Sequence, residues 1–352
     1  MIKSLLLSMT PLMLGVSAVI VCAKTYHGKS GYQVEDSRMP DVVALGEPMV
    51  EYCATGIGKL SKVDLFKRGW GGDTSNFAVS ASRQGLSVGH ICRLGDDEFG
   101  RSFLNLWESE GMDLSRVIVE DDAWTAIYII SLMEGGSHDF TYYRAGSAAS
   151  RYSVEDLDVD YLRAARVFHT SGITLAISES SRRAAVEALK ITRDNGGFNS
   201  FDVNMRAKLW DIVTAREALA EAFGYSDVVF ASMDDMNTLY GMTDMEEAAR
   251  HLREMGVGTV VVKHGGEGCY VSTDKERFTM PGFKIDVVDS TGAGDAFDGA
   301  WVKGVLMGWD LRRTASFANA VGALTATGLG AVAPIPRYED ALRLIREQDR
   351  VW

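Results

Sequence analysis

Residues 286–302 read DVVDSTGAGDAFDGAWV. A Ser-Thr-Gly-Ala-Gly run is followed at once by Asp295, and then by an apolar pattern suited to a helix. A glycine-rich turn bares backbone N–H groups, and a helix start carries partial positive charge. Together they make an anion site of the kind that binds phosphate. Asp295 would then stand beside bound phosphate, where a second negative charge is unwelcome. Two readings stay open on spacing alone. Asp295 either caps and charge-complements the helix, or belongs to the chemistry of a working phosphate site.

Three other stretches carry chemistry-bearing residues. GGDTSNFAVSASRQG (71–85) places a Gly-Gly pair before a helix whose first turn holds Asn76. It is either a plain helix start or a place where a polyhydroxy ligand meets bare backbone and an amide. VVKHGGEGCYV (261–271) runs a strand into Lys263 and a glycine turn, which fits a hairpin or a nucleotide-phosphate loop. FTYYRAGSAAS (140–150) and FDVNMRAKLW (201–210) carry Tyr142, Arg144, Asp202, Asn204 and Arg206. Two arginines at one site mouth suit a carboxylate, which the guanidinium fork matches in charge and shape.

These segments need a frame to bring them together. From Asp41 the chain alternates strand-like and helix-like pieces. Strands are expected at 42–47, 87–95, 166–172, 198–204, 227–232 and twice within 259–271. Helices are expected at 75–85, 97–111, 178–197, 211–224, 245–256, 296–309 and 311–328. Two β-rich runs around Gly135-Gly136 suggest a hairpin. Such alternation implies an α/β fold, a mostly parallel sheet covered on both faces. Ligands then bind beyond the carboxyl ends of the strands, where residues 290–295 and 202–204 are both expected to fall.

In this order and spacing, the Gly-Gly-Asn segment and D-S-T-G-A-G-D-A-F resemble the two signatures of the ribokinase-type (PfkB) carbohydrate kinases, from about Val42 to Pro336. The resemblance implies a ribokinase-like fold with a small β-sheet lid over about 47–70 and 122–146, on a kinase domain of 41–340. It implies ATP and Mg2+, with a monovalent cation as a further candidate. Asp295 would take the proton from the sugar hydroxyl. The amides of Thr291, Gly292, Ala293, Gly294 and Asp295 would form the anion hole. Y-x-R with G-S-A and D-x-N-x-R…L-W resemble the 2-keto-3-deoxygluconate kinase subgroup. Gly72 and Asn76 would then contact sugar hydroxyls, and Tyr128, Tyr142, Arg144 and Arg206 the acid and keto end. Lys263, Gly265 and Gly268 would flank the nucleotide, with Asn319 near the adenine. The family's N-x-x-E element is altered to Ser232-Met233-Asp234-Asp235, so Asp235 stands in for the glutamate that helps organise magnesium. His264 reads as a local variant, and Asp298 as a residue on the solvent side of its helix. The lid is expected to pair subunits. Kinases for fructose, 5-dehydro-2-deoxygluconate or a nucleoside, and a non-catalytic sugar-acid sensor, are the alternatives. A dinucleotide-dependent dehydrogenase fits poorly, because the first strand leads into GEPMVE and not G-x-G-x-x-G.

Bulk properties agree with a small-molecule enzyme. The chain has 352 residues, 46% apolar and 24% charged, enough for one large domain. A net charge of −12 argues against nonspecific nucleic-acid binding. The four cysteines, at 22, 53, 92 and 269, form no C-x-x-C pair, which suits free thiols in a reducing compartment. Residues 5–23 are uncharged and follow Lys3, as in a signal peptide or short anchor. Use of ATP favours a cytoplasmic protein, with residues 1–24 a leader or an extension outside the fold. Membrane association would follow only if that segment is an anchor.

Overall fold

Val42–Leu45 forms strand β1, buried along its whole length. Val42 and Ala44 enter one core, while Val43 and Leu45 enter another. Alternate residues of a strand face opposite ways, so an all-apolar strand is one covered on both sides. The computed structural model describes residues 39–133, 138–350 and 352. The further strands are β2 (Met49–Ile57), β3 (Phe66–Gly71), β4 (Val88–Gly95), β5 (Val117–Glu120), β6 (Ala126–Leu132), β7 (His138–Tyr143), β8 (Val167–Ser171), β9 (Phe198–Asp202), β10 (Val228–Ser232), β11 (Thr259–Lys263), β12 (Gly268–Ser272) and β13 (Arg277–Pro281). The helices are α1 (Asp73–Arg83), α2 (Glu98–Ser109), α3 (Val159–Ala164), α4 (Gly172–Ala176), α5 (Glu179–Asp194), α6 (Ile212–Phe223), α7 (Met233–Tyr240), α8 (Met245–Glu254), α9 (Ala293–Met307), α10 (Leu311–Thr325) and α11 (Tyr338–Glu347).

A nine-stranded sheet runs β13-β12-β11-β10-β9-β8-β1-β4-β5. Its pairs are parallel except β11–β12 and β12–β13. Helices α1, α2, α9, α10 and α11 cover one face, and α3 to α8 the other. Short polar residues start the helices where the pattern expects them: Asp97, Ser178, Asp211 and Asp310 each accept a first-turn amide hydrogen. A second sheet, β3-β2-β6-β7, lies within the segments expected to form a lid. One side of it packs Met49, Cys53, Tyr128 and Ile130 against Phe140 and Tyr142. Strands β6 and β7 pair with Leu132 opposite His138. The turn at Gly135-Gly136 lies outside the described residues, as does the leader at 1–24. Among the described residues no helix is long and apolar enough to cross a membrane.

Two expectations need correction. The turn at 290–295 does not follow a strand of the sheet. Val287 and Val288 are exposed, and the N–H groups of Val288 and Asp289 donate to the Ala326 carbonyl at the end of α10. The loop is therefore anchored to a helix rather than to a ladder. Helix α9 begins at Ala293, three residues before the expected start, which puts Asp295 inside its first turn.

Helices α1 and α9 lie unusually close. A Cβ on Gly299 would sit 2.6 Å from the Phe77 carbonyl oxygen and 2.8 Å from Ser80 Cβ. Ser80 Oγ donates to the Ala296 carbonyl across the same contact, at 2.7 Å. Gly299→Ala should force the two helices apart and cost about 1–3 kcal/mol. A lowered Tm in calorimetry, with activity lost disproportionately, is the expected result.

Candidate active site

The site grows from two helix starts that meet over the carboxyl ends of β9 and β11. Gly72 (φ 95°) precedes α1, and a Cβ there would lie 2.3 Å from the Glu47 carbonyl oxygen. Only glycine allows that approach. It delivers Asp73 and Asn76 on the first turn of α1. Asp73 accepts the Thr74 N–H (2.8 Å) and the Asn204 amide (3.2 Å), so α1 is tied to the segment after β9. Asn76 Nδ2 donates to Asp295 Oδ2 at 2.8 Å. Two motifs 219 residues apart thus meet through one hydrogen bond.

The second start is α9. Gly292 (φ 76°) is its N-cap and supplies no side-chain cap. A Cβ there would be 2.6 Å from the Ala331 carbonyl oxygen. The amides of this turn divide into two groups. Thr291 N–H and Oγ1 donate to Asp289, whose other oxygen takes the Gly330 N–H. Ala293 N–H turns back to the Ser290 carbonyl. Among the described residues no acceptor meets the N–H of Gly292, Gly294 or Asp295. The free amides of the turn are therefore fewer than the expected 291–295 set, because Asp289 engages Thr291 and Ser290 engages Ala293.

Asp295 stands beside those amides. Burial, then the neighbouring Asp73 and Asp202, push its carboxyl up to about 7, against the Asn76 hydrogen bond and the Lys263 charge. A carboxylate of that kind gains and loses a proton near neutral pH, as a general base must.

Asp298 is placed differently from expectation, and Lys263 is its partner. Asp298 is fully buried, and both its oxygens accept from Lys263 Nζ at 3.0 Å. The solvent-side expectation fails because a lysine arrives from β11 to meet it. Lys263 Nζ also lies 3.4 Å from Asp202 and 3.5 Å from the Gly294 carbonyl oxygen. Its ammonium is thus held inward, under α9. Gly265 (φ 49°) and Gly268 (φ 100°) form the tight β11–β12 turn, where a Cβ on Gly268 would strike the Met280 carbonyl. Asn319 is buried and donates to that same carbonyl at 3.2 Å, tying α10 to β13. His264 is half-exposed and pairs locally with Glu267.

The small sheet β3-β2-β6-β7 and the residues after it supply further buried charge. Tyr128 is buried, and its hydroxyl donates to Glu51 at 2.5 Å. Burial raises Glu51 to about 7 against the help of Tyr128 and of the Ala331 amide. Arg144 is buried and paired with Glu47, which also accepts from Ser147 Oγ at 2.8 Å. Its guanidinium lies 5.4 Å from the Tyr142 ring. Arg144 Nε and Nη1 are buried without an acceptor. Arg206 is exposed and bonds only the Met205 carbonyl, with no carboxylate beside it among the described residues. Asp235 caps α7 and accepts from Ser232 and from the Met205 N–H, so both oxygens are engaged inside the protein. No cluster of three metal-ligating side chains occurs among the described residues. Magnesium in phosphoryl transfer needs no such cage, since it comes with the nucleotide phosphates and one or two carboxylates.

The pfkB family carbohydrate kinase signature matches residues 39–337. The chain belongs to that family. It is 37% identical over 312 residues to 2-dehydro-3-deoxygluconokinase of Thermoproteus tenax, covering 88% of this chain and 95% of that one. It is 31% identical to Fructokinase-1 of Zea mays, covering 87% and 98%. A candidate Ribokinase II from E. coli, solved with ATP and Mg2+, superposes with a TM-score of 0.81 at 29% identity, over 88% of this chain and 99% of that one. The fold is the ribokinase-like one, and the enzyme a carbohydrate kinase.

Residues that pattern reading missed are the buried acids Glu47, Glu51, Asp73 and Asp289. Asp73 lies inside the quoted G-G-D-T-S-N stretch, and a carboxylate on a first helical turn beside a glycine pair was its signal. For Asp289, the signal was an aspartate two residues ahead of a bare turn. Asn76→Ala should remove a hydrogen bond that favours the charged form of Asp295. The expected result is an upward shift of the acid limb of kcat/KM from near pH 7, read from a pH–rate profile.

Proposed function

We propose that this kinase transfers the γ-phosphoryl group of ATP to the 6-hydroxyl of 2-keto-3-deoxygluconate, giving 2-keto-3-deoxy-6-phosphogluconate and ADP. The observation that carries the reading is the adjacency of Asp295 to the uncapped amides of Gly292 and Gly294. Asp295 takes the proton as the hydroxyl oxygen bonds to phosphorus. The bond from phosphorus to the ADP oxygen breaks in line, and the amides hold the charge on the transferring group. Magnesium, when bound, neutralises charge on the nucleotide phosphates. Asp235 fixes the Met205 segment rather than offering a free oxygen. In this reading Lys263 supports the phosphate turn from beneath, and Gly265, Gly268 and Thr291 shape the nucleotide side. The buried ties of Asn319 make it a wall of the adenine region.

The sugar-acid reading rests on Arg206, whose charge is unspent, and on the two unpaired nitrogens of Arg144. The relative at 37% identity agrees with it. Fructose is the second reading, because Glu47 already neutralises Arg144 and a fructokinase is 31% identical. The lid exposes Ile57 and Leu65, at 68% and 71%, which supports pairing of subunits through it. A cytoplasmic location fits the demand for ATP.

ATP consumption should be measured with 2-keto-3-deoxygluconate, fructose, ribose and adenosine. Preference for a neutral acceptor would overturn the substrate and leave the kinase. Arg206→Gln should raise KM for the sugar acid about 10–100-fold, the cost of one charge-assisted bidentate contact, while leaving fructose turnover unaltered. Asp295→Asn should lower kcat by about 10²–10⁴ while ATP still binds in calorimetry. Retained turnover in that variant would remove Asp295 from the role.

A further inference from the structure

Beneath the first turn of α9 lies a charge cluster that the transfer reaction itself does not use. Lys263 Nζ stands at the end of β11, 3.0 Å from each oxygen of Asp298 and 3.4 Å from Asp202. It also reaches the Gly294 carbonyl at 3.5 Å, one residue before Asp295. Asp298 is completely buried, and Asp202 and Lys263 nearly so. Three structural elements, β9, β11 and α9, are joined by this one ammonium. A cation so enclosed is poorly placed to reach out to a nucleotide.

We propose that Lys263 is a positioning residue for the catalytic base, clamped by Asp298 and Asp202 so that it fixes the start of α9 and keeps Asp295 charged. The inference rests on Asp295 being the base. The groups facing Asp295 are Asp73 and Asn76 from α1, Tyr128 from β6, Asp202 from β9, Lys263 from β11 and Asp298 from α9 itself. Lys263 is the only cation among them. Burial alone would drive Lys263 to lose its proton, yet Asp202 and Asp298 hold its pKa above the usual value. Removing it would leave Asp73, Asp202, Asp295 and Asp298 facing one another without a counter-charge, and Asp295 would hold its proton to higher pH.

The test compares kcat/KM–pH profiles of the wild type, Lys263→Met, Asp298→Asn and the double variant, with folding checked by circular dichroism. Lys263→Met should move the acid limb up by about one pH unit, and Asp298→Asn should move it down. The double variant should return towards the wild type, since one charge of each sign is gone. Opposite shifts are the signature that a merely structural role would not produce. Lower activity with unmoved limbs would overturn the proposal. So would a raised KM for ATP with an unmoved limb, which would make Lys263 a nucleotide contact. If Lys263→Met does not fold, Lys263→Gln takes its place, with the same upward shift expected and an unmoved limb overturning the proposal. Asp295→Asn separates the two levels. If it keeps the wild-type acid limb, the base reading falls and this inference with it. If it abolishes turnover while the Lys263 and Asp298 variants keep that limb, the positioning role alone falls.

Discussion

Four buried carboxylates and one ammonium set the terms for this site. Lys263 is held by Asp202 and Asp298, and Asp73 bears on Asp295 beside them, where α1 and α9 begin. Buried charge without a partner is expensive. The surroundings answer with donors, the side-chain amides of Asn76 to Asp295 and of Asn204 to Asp73. What remains uncompensated appears as the raised pKa of Asp295. That residual suits the base role proposed for Asp295, since a base works best when its pKa lies near the working pH.

The fold exists at this point to hold two helices against each other. The sheet brings Asp202 and Lys263 to its carboxyl edge from strands two places apart. Gly299 lets α1 and α9 touch at backbone distance, and Gly72 lets α1 begin against Glu47. The chain of contacts then runs outward to the lid, because Glu47 holds Arg144 and Glu51 joins Tyr128 to the Ala331 loop. Ala331 in turn packs on Gly292. The small sheet and the 291–295 turn are thus two ends of one packed network, which suits the proposed transfer, a reaction that must exclude water.

Much of this was legible in local pattern. Alternating strand and helix pieces pointed to the covered parallel sheet, and β1, buried among apolar residues on both faces, fits it. The Gly-Gly-Asn and Gly-Ala-Gly-Asp segments pointed to helix starts, and the structure joins them through Asn76 and Asp295. What pattern could not supply was partnership over long separations. Asp298 reads as a surface residue by its place on the helix, until Lys263 arrives from 35 residues earlier. Arg144 reads as a free cation, until Glu47 arrives from 97 residues earlier. Thr291 reads as part of the anion cradle, until Asp289 turns back to bind it. Periodicity reports which way a side chain faces, but the charge it meets there depends on the tertiary fold.

The central claim is that one turn of α9 offers its amides to phosphate and its carboxylate to the acceptor hydroxyl at the same moment. A crystal structure of the enzyme with a non-hydrolysable ATP analogue and the sugar acid tests this most directly. The account predicts an oxygen of Asp295 at about 3 Å from a hydroxyl that lies in line with the γ-phosphorus, within ordinary hydrogen-bond reach. The Gly292 and Gly294 N–H groups should point at γ-phosphate oxygens. An Asp295 carboxyl turned away from every acceptor hydroxyl, with the phosphate bound elsewhere, would contradict it.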